Sequence, residues 1–186
     1  SSSGSGGRIS MRGGPSATGA SGDVSISSES AASSSGSSGS IDIKSGDTVS
    51  GNSGHVNMQS GNSISGDGGI LSLEAGSSEG NNGGNINVIA GLSQEENGGN
   101  VNIVSGRSVN GLSGNVEIFS GSPGGSGTGD ISIGTGTAES GDAGSIVLSG
   151  GRSLTGHGGS VKLEGGYSSS GPGGSIEFNA GSSLSN

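Results

Sequence analysis

An all-β solenoid without helices is the fold class this sequence predicts, and three regularities predict it. An apolar pair separated by one residue recurs twelve times, its first member at Ile9, Val24, Ile41, Val56, Leu71, Ile86, Val101, Val116, Ile131, Ile146, Val161 and Ile176. The step between first members is 15 residues, except for one of 17. Glycine stands two residues before the first member in all twelve units, and five after it in all but the second, which has Glu29. We call these the leading and trailing glycines. Repeats of this kind set the architecture before any single residue does.

Each unit contains one segment that reads as a strand, as in Gly99 to Gly106, where Val101 and Ile103 alternate with polar residues. A period of two places the apolar pair on one face. Glycines at a fixed offset from that pair mark corners that need positive φ or close packing. The rest of the unit, such as Arg107 to Ser113, is small and polar and returns the chain to its start.

One unit buries two aliphatic side chains, roughly 1.5 to 3 kcal/mol each, against backbone ordering of roughly 1 to 2 kcal/mol per residue. A unit alone therefore does not fold. Stacked units share their interfaces, which is how solenoids gain stability. Rungs about 4.8 Å apart would form a rod roughly 55 to 60 Å long.

The expected cross-section is a flattened two-layer coil, about twelve rungs of 15 residues. Seven residues after the first aliphatic the side chain is small in every unit: Ser16, Ala31, Thr48, Ser63, Ser78, Ser93, Ser108, Pro123, Ala138, Ser153, Ser168 and Ser183. That column reads as an inner wall packed close against the Val/Ile ladder. One tight hairpin per unit in a larger antiparallel sheet is the alternative; it needs two equally strong strands per unit, and one is visible.

The 17-residue step lies within 27–40 and fits a bulged loop. Pro15, Pro123 and Pro172 fall outside the aliphatic segments, where a missing N–H does least harm. Residues 1–186 read as a single array, a segment of a longer solenoid or a protomer that stacks end to end, since no capping unit closes either end.

Composition alone points elsewhere. Gly at 46 of 186 residues, 25% hydrophobic and 2% aromatic content resemble a flexible linker. The strict register argues against that reading, and the absence of a three-residue glycine period excludes collagen. With 15 acidic and 6 basic residues the net charge is -9, which disfavours nucleic acid and anionic membranes. No run approaches a membrane span, and there is no Cys.

Catalysis is not expected. His55 and His157 occupy different slots about seven units apart, so they form neither a metal pair nor a base dyad. No Ser has a His and a carboxylate placed to activate it, and the Gly-x-Gly strings lack a flanking Rossmann strand and helix. Asp23 and Asp130 share a slot filled mostly by Asn or Ser, unlike a calcium-binding β-roll. The expectation is no enzyme, no cofactor, no metal and no small-molecule substrate.

On the outward face, Asn85, Asn100 and Asn115 form one expected column, Asn87 and Asn102 another, and Lys162 neighbours Glu177. Ile89, Val104 and Phe119 break the polar rule on three successive units, and we read them as a lateral interface between chains.

The string Gly-Gly-Asn-Val-Asn-Ile-Val-Ser-Gly-Arg-Ser, echoed at Gly69 to Ser78 and Gly159 to Ser168, resembles the Gly/Ser-rich tandem arrays of large secreted and cell-surface proteins of algae and other microbial eukaryotes. The resemblance implies an extracellular structural protein that assembles with copies of itself, axially and laterally, into filaments or surface appendages. Two alternatives remain: an ice-binding solenoid, although Thr18, Thr48, Thr128, Thr135, Thr137 and Thr155 form no Thr-x-Thr ladder, and an adhesin stalk.

Overall fold

A computed structural model describes residues 6–32, 36–122, 124–125 and 127–182. It divides into two units, Ser1–Ile89 and Ala90–Asn186, each built from the same local element. Among the described residues there is neither helix nor strand, and none is buried. The solenoid expectation is therefore overturned.

Surface area shows how far the chain lies from a packed coil. It exposes 18644 Å², where a compact chain of 17.2 kDa exposes about 7,800 Å². The Val/Ile ladder is not a core: Val101 is 52% and Ile103 71% exposed. The expected inner wall is absent too, because the described residues of the small column are solvent-facing or only partly covered.

What the repeat builds instead is a closed loop. The leading glycine donates its backbone N–H to the carbonyl of the preceding trailing glycine in seven loops. Within the first unit these are Gly22 to Gly14 (2.8 Å), Gly69 to Gly61 (3.2 Å) and Gly84 to Gly76 (2.8 Å). Within the second they are Gly99 to Gly91 and Gly114 to Gly106 (both 2.9 Å), and Gly159 to Gly151 and Gly174 to Gly166 (both 2.8 Å). A solenoid would send backbone donors to the next rung. Here the backbone bonds outside regular elements stay within one loop, and this is the physical reason for the correction. Closing nine residues costs far less entropy than setting whole units in mutual register.

Inside each of these loops the small column acquires a specific role. The hydroxyls of Ser16, Ser63, Ser78, Ser93, Ser108, Ser153 and Ser168 accept the N–H three residues on, from Gly19, Gly66, Asn81, Glu96, Gly111, Gly156 and Gly171, at 2.8–3.0 Å. This side-chain turn substitutes a hydroxyl for a backbone acceptor. The column is small because it is a turn column, not because it packs against a second wall.

Two loops test that rule within the chain. Where the slot holds Thr48 or Ala138, the hydroxyl turn and the glycine closing bond are both missing, and the residue three on is a glycine at positive φ, Gly51 at 112° and Gly141 at 85°. Thr48 Oγ1 donates instead to the Ser50 carbonyl at 3.3 Å. Either the serine or a left-handed glycine makes the bend. Pro123 and Ser183 of the same column lie outside the described residues.

The two corner glycines do different work. A Cβ on the leading glycine would lie 2.9 Å from the trailing glycine's nitrogen in Gly22, Gly159 and Gly174, and 3.2 Å from it in Gly99. Trailing glycines such as Gly61, Gly91 and Gly106 have open space there and no positive φ. Close approach thus explains the leading glycine in these closed loops, whereas Gly7 and Gly129 have open space, and the open trailing site explains why Glu29 can stand there.

Candidate interaction surface

Between loops, short extended segments carry the apolar pairs. Side chains two apart lie on one side of such a segment, and two polar contacts follow that spacing: Lys162 Nζ meets Glu164 Oε1 at 2.6 Å, and Asn179 Nδ2 donates to Glu177 Oε1 at 2.8 Å. The expected Lys162 to Glu177 neighbourhood is replaced by these contacts within single segments. The Lys162 pair is mostly exposed and adds little stability.

The first aliphatic of a pair is less exposed than the second in every unit but that of Ile9, ranging from 46% at Ile176 to 64% at Leu71. Ile9, before which no loop is described, is 92% exposed. The preceding loop therefore provides the partial cover. Half-covering one aliphatic side chain contributes about 1 kcal/mol, enough to bias a loop and too little to make a core.

Ile89, Val104 and Phe119 are 87%, 87% and 83% exposed. Ile89 closes the first unit, and Val104 and Phe119 lie in the second. Their surfaces are uncovered, as an intermolecular contact requires. Apolar residues of the loops, including Ile64, Leu92, Val109 and Leu112, are exposed as well, so the apolar surface is wider than these three side chains. The signal for that was in the sequence as isolated aliphatics inside the polar limbs.

The same reading missed the turn serines as hydrogen-bond acceptors. Their Ser-x-x-Gly spacing, at Ser16 to Gly19, Ser63 to Gly66, Ser108 to Gly111, Ser153 to Gly156 and Ser168 to Gly171, was the available sign. Among the described residues no cavity and no cluster of His, Asp and Glu with metal-binding geometry is found. No helix there is long and apolar enough to cross a membrane.

No protein-family model matches the chain, and neither the curated proteins nor the solved structures compared with it give a match.

Proposed function

We propose that this chain is a structural repeat protein whose partners are copies of itself, joined through its periodic apolar pairs and the exposed side chains of Ile89, Val104 and Phe119. The observation that carries the reading is the uncovered aliphatic pair, presented at a fixed spacing between self-closed loops. A weak contact repeated along one chain gains strength through multivalency, because the second contact forms at high effective concentration. Exposed apolar surface on this scale favours association.

In this reading the chain is not an enzyme and works outside the cell, as the Gly/Ser-rich, Lys-poor composition suggests. Lateral contacts drive assembly into filaments or appendages. Rung-on-rung axial growth does not enter, because the closed loops leave no rung to extend. Ice binding calls for a flat, regular face, and no observation on the described residues favours that alternative. Sedimentation velocity over a wide concentration range tests the proposal. Growing oligomers support it, and a monomer at every concentration overturns it.

A further inference from the structure

We propose that Asn82 and Asn97 are sites of spontaneous succinimide formation, converting to aspartate and isoaspartate, and that Ser108 protects Asn110 from the same reaction. All three asparagines precede glycine, in Asn82-Gly83, Asn97-Gly98 and Asn110-Gly111, and all six residues are exposed. Of the asparagines in the segments between loops, Asn85, Asn87, Asn100, Asn102 and Asn115 precede Ile or Val, Asn57 precedes Met and Asn179 precedes Ala. A β-branched neighbour crowds its own backbone nitrogen, and glycine leaves it open.

The reaction uses only the chain and water. The backbone nitrogen of the following glycine, having given up its proton, bonds to the asparagine Cγ. The Cγ–Nδ2 bond breaks, and the side-chain nitrogen leaves as ammonia carrying that proton. Water then opens the five-membered ring at one of its two carbonyls, giving aspartate or isoaspartate. A glycine N–H held in a hydrogen bond is neither free to lose its proton nor free to turn toward Cγ.

The structure separates the three sites on that requirement. Gly111 N–H is held by Ser108 Oγ at 2.9 Å. In the loops of Asn82 and Asn97, the hydroxyl turns engage Asn81 and Glu96, and the closing bonds engage Gly84 and Gly99. Gly83 and Gly98, between them, have no such partner among the described residues. Isoaspartate at either site adds a main-chain methylene inside a closed loop, between Gly76 and Gly84 or between Gly91 and Gly99, and loosens its neck. Each conversion also adds one negative charge to a chain already at -9, which opposes association.

The test is peptide mapping of the full chain, aged at mildly alkaline pH and dilute enough to be monomeric, with asparagine, aspartate and isoaspartate resolved. Each site's rate is divided by its rate in concentrated urea, which removes the effect of neighbouring residues such as Val109. A hydrogen bond of ordinary net strength leaves the N–H free about five-fold less often. The ratio should be near unity for Asn82 and Asn97 and about one fifth for Asn110, and Ser108→Ala should raise the last to near unity. A ratio near unity for Asn110 in the unmodified chain, one unmoved by Ser108→Ala, or equally low ratios at Asn82 and Asn97 would overturn the proposal.

Discussion

Replacing Ser93 and Ser108 by Ala, one at a time, perturbs two loops that differ in one respect. Each serine holds the N–H three residues on, Glu96 for Ser93 and Gly111 for Ser108, both at 2.9 Å. Losing a side-chain cap of this kind costs about 1 kcal/mol. The Ala138 loop shows the bend left to a chain without the hydroxyl, with Gly141 at positive φ three residues on. Gly111 adopts it freely, whereas Glu96 incurs a further 1–2 kcal/mol, roughly, for the left-handed conformation. The total of about 2–3 kcal/mol leaves the Ser93→Ala loop no favourable bend, and its Gly99 amide should exchange at close to the free rate. In Ser108→Ala the Gly114 amide should lose its protection as well, because the Ala138 loop has no closing bond, while Gly111 should move to positive φ and Glu96 in Ser93→Ala should not. Site-resolved hydrogen exchange reads these amides, and three-bond couplings report φ at residues 96 and 111. Gly111 φ remaining negative in Ser108→Ala, or Glu96 φ turning positive in Ser93→Ala, would refute the interchange of hydroxyl and left-handed glycine.

Gly159→Ala places a Cβ 2.9 Å from the Gly151 nitrogen and should abolish protection of residue 159, while Gly91→Ala, in open space, should change protection of Gly99 by less than two-fold, roughly, in amide exchange. Ile103→Asp should leave the monomer's exchange pattern intact, because Ile103 is already exposed, and should weaken self-association in sedimentation. The double substitution Val104→Ser with Phe119→Ser should likewise lower the association constant while the loops remain closed; unchanged association would make these two side chains incidental. Because the chain carries a net charge of -9, raising salt from low ionic strength should strengthen association, which light scattering can follow.

The repeat register and the leading glycine were legible because each is a local covalent pattern, while the irregular step at 27–40 lies partly outside the described residues. Gly22, Gly99 and Gly159 stand where a Cβ meets backbone, and the sequence marks that by never varying the residue there. The course of the chain between units was not legible. Alternation at Val101 and Ile103 states that one side of an extended segment is apolar; it does not state that another segment covers it. With two aliphatics per unit, local closure through Ser108 and Gly114 competes with stacking, and periodicity carries no information on which wins. Ile89, Val104 and Phe119 share one slot of the repeat in the sequence, and the structure adds only that each is exposed.

Backbone amide exchange on the dilute monomer tests the central claim most directly, because the two architectures protect different nitrogens. Self-closed loops protect the turn and closing amides, such as Glu96 and Gly99, or Gly111 and Gly114, and leave Val101 and Ile103 at near-free exchange. The account predicts that pattern in each loop whose turn slot holds serine. Protection centred on Val101, Ile103, Val116 and Ile118, recurring every 15 residues, would mean a stacked ladder and would contradict it.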